Sequence, residues 1–300
     1  MSAEFDSYLA AKQLLIEEHL RFSLRRLEKR SPPALLEAMS YSLLSPGKRL
    51  RPLLVIMAAE ATGAADRDAL PAATAVEMVH TYSLVHDDLP AMDDDDLRRG
   101  LPTCHKKFGE AIAILAGDAL LTEAFSVLAQ EYPPATAAAC CRELASAAGA
   151  AGMVGGQADD LAWEHKGGTL DELESIHGRK TGALFRACLR LGLLVAQGEA
   201  AGGPDRQVQE TFDSFGRRLG LAFQITDDLV DVESTAGQAG KRVQKDAARG
   251  KLTYPGFLGK MESFRRAERL CQQAQELLGP LGPAGRHLGC LVQRVLQRDR

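Results

Sequence analysis

The sequence predicts an all-α fold, read as one domain over residues 1–300. Three observations predict it. Long stretches are rich in Ala, Leu, Glu and Arg, with apolar residues at helical spacing. No alternating run of Val, Ile, Thr or Tyr is bounded by hairpin turns, so strand signals are missing. Pro and Gly fall in a few discrete places and punctuate the helical runs rather than pervading them.

The first amphipathic segment begins at Leu14, Leu15 and Ile16, and Pro32-Pro33 interrupts it before Ala34-Leu35-Leu36. A second run covers Leu53 to Ala61, and a third, Ala72 to Leu89, is apolar with few charges. Further runs lie around 110–130, 135–153, 171–198, 205–232 and 262–278. Breaks come from Ser45-Pro46-Gly47, Pro133-Pro134, Gly167-Gly168, Gly202-Gly203-Pro204 and Gly282-Pro283. The near-continuous apolar character of 72–89 and 184–196 predicts a central helix buried on most sides. No fixed-period repeat and no low-complexity linker divides the chain.

Composition narrows the class. Hydrophobic residues make up 45% and charged residues 25%, an ordinary globular balance. A net charge of −4 gives no basic footprint of the kind nucleic-acid binding needs. The six cysteines form no C-x-x-C pair, and a chain this long needs no disulfide staples, so reduced, mostly buried thiols are expected. The first twenty residues are a charged amphipathic pattern rather than a signal peptide. No apolar run is read as approaching the roughly 18 to 20 residues of a membrane span, so a cytoplasmic protein is expected.

The acidic residues are crowded rather than diffuse. Asp87-Asp88-Leu-Pro-Ala-Met-Asp93 is followed directly by Asp94, Asp95 and Asp96, and Asp227-Asp228-Leu-Val-Asp231 lies far downstream. In the second motif the spacing i, i+1, i+4 sets three carboxylates within about a 100° arc of one helix. Such crowding is costly unless cations neutralise it. Hard cations such as Mg²⁺ take a few carboxylate oxygens together with phosphate oxygens and water. One such motif alone is more often a solvated helix face. Here apolar runs, Met78 to Val85 and Leu219 to Ile225, lead straight into the acids, which favours a cavity over bulk water. Asp93 lies six residues after Asp87, off the face of a straight helix, and Pro90 supplies a stop or kink that lets it reach back from a turn.

The stretch HTYSLVHDDLPAMDDDDLRRGLPTCH, with DDLVD downstream, resembles the two aspartate-rich motifs of trans-isoprenyl diphosphate synthases, most closely those of the bacterial farnesyl type. The resemblance runs from about Tyr41 to Pro255 through PGKRLRP, GGQADDL, GRKTGALF, FQITDDLVD and GKLTYP. It implies a helical bundle around a central cavity and condensation of isopentenyl diphosphate with dimethylallyl and geranyl diphosphates. It implies three Mg²⁺ per active site, held by Asp87, Asp88, Asp93, Asp227, Asp228 and Asp231, and a homodimer. Lys48, Arg51, His80 and Arg99 match the positions that bind the isopentenyl diphosphate. Arg98, Lys180, Lys241 and, on a mobile segment, Lys251 match those facing the allylic diphosphate. Thr181 and Gln224 match side chains near the carbocation. Gln157 and Asp160, three apart in Gly155-Gly156-Gln157-Ala158-Asp159-Asp160, match an element that supports the metal site from behind. One departure stands out: the family has Gly-Gly before the lysine, and this chain has Pro46-Gly47.

The chemistry explains why metals and fixed cations coexist. Ionisation of the allylic C–O bond puts charge on a leaving diphosphate, which Mg²⁺ and Lys or Arg stabilise. The isopentenyl double bond then attacks the cation, water being excluded, and a proton is lost to the released diphosphate. Tyr82 and Ser83, about one turn before Asp87, are expected to close the pocket at a fifteen-carbon product. Alternatives are a geranylgeranyl diphosphate synthase, a non-catalytic subunit of a heteromeric synthase, and a metal-dependent terpene cyclase. The retention of both acidic motifs weighs against the subunit, and Lys48 and Arg51 weigh against the cyclase.

Overall fold

Proline and glycine set most element boundaries. The computed structural model describes residues 3–200, 203–233 and 251–297, and the chain divides into two compact units. One unit comprises Ser2–Arg142 and Leu191–Gly203, and the other Glu143–Arg190 and Pro204–Arg300.

In the first unit, helix α1 (Ala3–Arg25) is followed by α2 (Pro33–Leu43), α3 (Leu50–Ala61) and α4 (Asp66–Asp87). Pro33 opens α2, where its missing N–H costs no helical bond. At the start of α4 the Asp68 carboxylate accepts from the Ala65 N–H at 3.2 Å. The helix stops at Asp87, three residues before Pro90, as the proline predicts. Helix α4 packs against both α3 and α6 (Glu110–Glu131) and is buried on nearly every side, which matches the central helix expected from its unbroken apolar run. Met78, Val79 and Val76 are fully buried, and truncating one such side chain to Ala costs about 2–5 kcal/mol.

Between α4 and α6 lie a two-residue hairpin and the short α5 (Cys104–Phe108). Strand β1 (Leu97–Arg98) pairs antiparallel with β2 (Leu101–Pro102), in register Leu97↔Pro102 and Arg98↔Leu101. Sequence reading found no strand here, because two residues are too few to show alternation. The turn is made by Arg99 at φ 53° and Gly100 at φ 80°, the paired positive φ values that tight hairpins use. Helix α6 also amends an expectation. It holds an 18-residue stretch of mean hydropathy 1.7, long and apolar enough by itself to cross a membrane. Asp118 and Glu123 interrupt the run by eye, but Ala113, Ala116, Gly117, Leu120 and Ala124 make a buried face, that of a core helix against α4.

The second unit contains α8 (Met153–Trp163), α9 (Leu170–His177), a π-helical turn (Gly178–Gly182), α11 (Arg206–Glu233), α12 (Tyr254–Leu277), a 3₁₀ turn (Gly279–Gly285) and α13 (Arg286–Leu296). Helices α7 (Pro134–Ala148) and α10 (Ala183–Gln197) each begin in one unit and end in the other along the chain. The predicted run 135–153 ends early, at Ala148, with a turn at 149–152 before α8, and 171–198 is broken by the π turn at GRKTG. Thr169 caps α9, accepting from the Glu172 N–H at 3.3 Å while Glu172 accepts from the Thr169 N–H at 2.7 Å. Leu173, Ile225, Leu229, Tyr254 and Ala267 form the core where α9, α11 and α12 meet. All six cysteines are free, and four are buried.

Candidate active site

In the first unit α4 carries two chemically opposite sites about two turns apart. Seven residues separate His80 from Asp87, roughly 10 Å along the helix. Around His80 the charge is positive. Arg51 Nη1 lies 3.0 Å from His80 Nε2. Because a guanidinium only donates, Nε2 is the acceptor and the imidazole is neutral. Burial, then Arg51, Arg99, Arg98 and Arg49, hold its pKa well below the ordinary histidine value. Four guanidiniums acting on one imidazole mark a place built for an anion.

The loop that presents this cluster explains the Pro46-Gly47 departure. Arg99 Nη1 donates to the Pro46 carbonyl at 2.8 Å, and a Cβ on Gly47 would lie 2.4 Å from the same nitrogen. The position before Gly47 is used through its carbonyl, which proline keeps. A side chain at position 47 would displace the Arg99 guanidinium, which packs against the Gly47 Cα. Lys48 is exposed, and its carbonyl accepts from Gln13 Nε2 at 3.1 Å. Arg49 was not singled out by the sequence reading. Its guanidinium is 1% exposed and bonds Glu77 at 2.7 Å, Glu17 at 2.7 Å and the Ser45 carbonyl at 2.9 Å. Glu77 was a visible signal: a carboxylate inside an apolar helix must find a cation.

At the C-terminal end of α4 the charge is negative. Asp87 and Asp88 are buried. Arg98 from the hairpin grips Asp88, with Nε 2.8 and 3.0 Å from its two oxygens and Nη2 at 2.6 Å. Burial opposes the charge on Arg98, but Asp88, Asp87 and Asp93 outweigh it and raise its pKa. After Pro90 the chain folds back, so that the Asp93 N–H donates to the Asp87 carbonyl at 2.7 Å and the Asp95 N–H to the Asp88 carbonyl at 3.1 Å. The turn therefore returns Asp93 to the end of α4, as the proline suggested. Arg98, Asp88, Thr81, Val85, Tyr41 and Cys104 line a cavity of about 40 Å³, room for a few waters.

Tyr82 and Ser83 are both buried on α4. The Ser83 hydroxyl donates to the His80 carbonyl at 2.8 Å. The Tyr82 ring meets His86 edge-on at 5.8 Å between centroids, and burial, then Asp87, push its pKa up to about 12. His86 Nε2 lies 3.0 Å from the Ile114 carbonyl on α6. A Cβ on Gly117 would lie 2.2 Å from that same nitrogen, so α6 receives the imidazole only because residue 117 is glycine.

The second unit joins three expected residues into one chain of hydrogen bonds. The Thr181 hydroxyl donates to Gln224 Oε1 at 3.0 Å, and Gln224 Nε2 donates to Asp228 Oδ1 at 3.0 Å. The Tyr254 N–H, just beyond Lys251-Leu252-Thr253, donates to Asp228 Oδ2 at 3.0 Å. Thr181 belongs to the π turn, a distortion that re-aims a side chain out of helical register. Asp228 is buried, whereas Asp227 is exposed and Asp231 half-buried, so the three carboxylates of α11 differ in access to solvent. Lys180 Nζ bonds Asp160 at 2.6 Å, and Lys251 Nζ approaches the same oxygen at 3.9 Å. Lys251 is 12% exposed, which does not fit a solvated loop lysine. Gly156 lets α8 sit against the π turn, since a Cβ there would lie 2.3 Å from the Lys180 backbone nitrogen. Gln157 is buried on the same helix. Lys241 lies outside the described residues.

Among the described residues no three acidic, His or Cys side chains form a ready-made metal cage. Mg²⁺ needs none: it binds through one or two carboxylates and completes its shell with phosphate and water. Oxygen-only donors at the ends of buried runs fit that ion.

The family model for polyprenyl synthetase matches residues 32–277. The chain belongs to this family. Membership makes it a prenyltransferase. It is 43% identical to the farnesyl diphosphate synthase of Bacillus subtilis over 303 aligned residues, spanning 100% of both chains. It is 44% identical to geranylgeranyl pyrophosphate synthase 7 of Arabidopsis thaliana, covering 92% of this chain and 78% of that one. The crystal structure of an FPP/GFPP synthase from Zymomonas mobilis superposes with a TM-score of 0.86 at 34% identity, covering 99% of this chain and 100% of that one. Overall identity does not separate the product classes, so product length must be read from the pocket.

Proposed function

We propose that this polyprenyl synthetase condenses isopentenyl diphosphate with dimethylallyl and then geranyl diphosphate to give farnesyl diphosphate. The observation that carries the reading is the pairing on α4 of a metal-free cationic site, Arg51 with His80, and an acidic site, Asp87 and Asp88. A substrate whose diphosphate stays intact suits fixed guanidinium and ammonium donors. A substrate whose diphosphate must leave suits metal-binding carboxylates.

Lys48, Arg51, His80 and Arg99 hold the isopentenyl diphosphate, with His80 neutral and so able to accept from Arg51. Asp87, Asp88, Asp93, Asp227, Asp228 and Asp231 would hold three Mg²⁺, which would supply positive charge to the leaving diphosphate. Arg98, Lys180, Lys241 and Lys251 add fixed positive charge to that leaving group. Arg98 exchanges its hold on Asp88 for the substrate. The Thr181 and Gln224 oxygens, oriented by the bonds that run to Asp228, lie toward the developing cation. Asp160 and Gln157 steady Lys180 and Lys251. No side chain is assigned as general base, since the departing diphosphate can take the proton.

Tyr82, braced by His86, forms the floor that ends growth at fifteen carbons. The family match crosses both units, which supports reading residues 1–300 as one synthase domain. The exposed Ile114 and Leu115 on α6 support a homodimer, and the protein is assigned to the cytoplasm.

Equilibrium binding with and without Mg²⁺ tests the two-site reading. Isopentenyl diphosphate should bind with similar affinity in both conditions, and a non-ionising allylic diphosphate analogue should bind tightly only with Mg²⁺. The same metal dependence for both ligands would overturn the assignment.

A further inference from the structure

We propose that Arg49 is a positioning residue for isopentenyl diphosphate: it locks the loop carrying Lys48 and Arg51 onto α4 through a buried bond to Glu77, one turn before His80. The proposal rests on the reading of Lys48, Arg51 and His80 as the isopentenyl site.

Arg49 stands between two residues assigned to substrate but does not itself face outward. Its guanidinium is 1% exposed, and the Glu77 side chain that meets it is 3% exposed. Its backbone sits at φ 49°, the left-handed region that non-glycine residues seldom enter, as the residue that starts α3. The Arg49 side chain is buried there while its neighbour Lys48 is exposed. The guanidinium then ties three elements together. It bonds Glu77 on α4, Glu17 on α1, and the Ser45 carbonyl at the start of its own loop. Gln13 on α1 holds the Lys48 carbonyl from the same side. Glu77 and His80 are three residues apart on one helix, so the anchor and the substrate-facing imidazole share a rigid support. Burial disfavours a charged Arg49, but Glu77 and Glu17 more than offset it and its pKa is raised.

A buried ion pair adds little stability over apolar side chains of equal volume, so stability alone does not account for Arg49 and Glu77. Its place here is therefore better explained by register: it fixes where the Lys48 and Arg51 cations stand relative to His80. Loosening that register weakens the hold on one substrate's diphosphate, which shows in its KM with kcat little changed.

The test is the double variant Arg49→Met/Glu77→Met, which removes both charges and keeps the volume, with Glu17→Ala as a milder single change at the solvent edge of the anchor. Arg51→Ala is the control on the underlying site. Steady-state kinetics are run against each substrate separately, with thermal melting alongside. The double variant should fold, raise KM for isopentenyl diphosphate about ten-fold, and leave KM for the allylic substrate and kcat within about two-fold. Glu17→Ala should move the same parameter in the same direction by a smaller factor, and it carries the test if the double variant does not fold. If Arg51→Ala raises the isopentenyl KM but neither anchor variant does, the positioning role is wrong. Equal rises for both substrates also overturn it. If Arg51→Ala itself leaves that KM unchanged, the underlying site reading fails instead.

Discussion

Single residues do two kinds of work here: some carry the charges proposed to meet substrate and metal, and others, such as Arg49, hold them in place. Asp87, Asp88, Asp227 and Asp228 stand out in the sequence because adjacent carboxylates at the ends of apolar runs need cations or water, and they are proposed to hold metal. Arg49 does not stand out, because in KRLRP it looks like one more surface cation; its burial follows from a tertiary partner 28 residues away. Thr181 and Gln224 were named as separate residues, and the structure joins them through one hydrogen bond. Thr181→Val removes that donor while keeping the shape, and a loss of about ten- to a hundred-fold in kcat is expected, with both KM values little changed; steady-state kinetics check it. His177 gives a stability prediction. It is buried against Tyr254 with Nδ1 lacking a hydrogen-bond partner, and burial lowers its pKa to about 4. The unfolded chain binds the proton at an ordinary pKa near 6.5, so between about pH 6.5 and 4 it is the unfolded state that gains protons. Stability is thus full above this window and is lost as pH falls through it, by about 2 kcal/mol at pH 5 from this group. Denaturant melts at pH 7 and pH 5 should show the loss, and His177→Phe should flatten it.

At the scale of elements, the long helices were legible because their apolar periodicity is sustained over many residues. Helices α4 and α11 appear close to the limits set by Pro90 and by the Gly202-Gly203-Pro204 break. The hairpin Leu97–Pro102 and the π turn at Gly178–Gly182 were not legible. Two-residue strands carry no period, and a π turn differs from an α turn only in which carbonyl each N–H meets. The interface of α4 with α6 carries a direct prediction. Gly117→Ala puts a methyl where the His86 imidazole sits, so His86 and the Tyr82 ring against it must shift. Overpacking of this kind costs about 1–3 kcal/mol, visible as a lowered Tm. Product analysis should then show a measurable fraction of chains longer than fifteen carbons, whereas Tyr82→Ala should make such chains the major product. Unaltered products from both variants would remove Tyr82 as the floor.

Across the whole molecule, sequence motifs announced the family more clearly than they announced its product. Motifs from PGKRLRP to GKLTYP lie within the matched span of residues 32–277, and they fix the reaction class because each supplies a charge that the chemistry needs. On the proposed reading, product length depends instead on how side chains such as Tyr82, His86 and Gly117 fill space, which is a property of packing and not of motif. The proposed homodimer depends on surface. Ile114 and Leu115 are 43% and 51% exposed on a helix whose opposite face is core, so replacing both with Lys should yield a monomer by light scattering. The central claim is that this chain elongates an allylic diphosphate with isopentenyl units and stops at farnesyl. Purified protein incubated with labelled isopentenyl diphosphate, dimethylallyl diphosphate and Mg²⁺, with products resolved by length, tests it most directly. A predominantly fifteen-carbon product that vanishes in Asp227→Ala/Asp228→Ala is expected; no elongated product from folded, metal-loaded protein would contradict it.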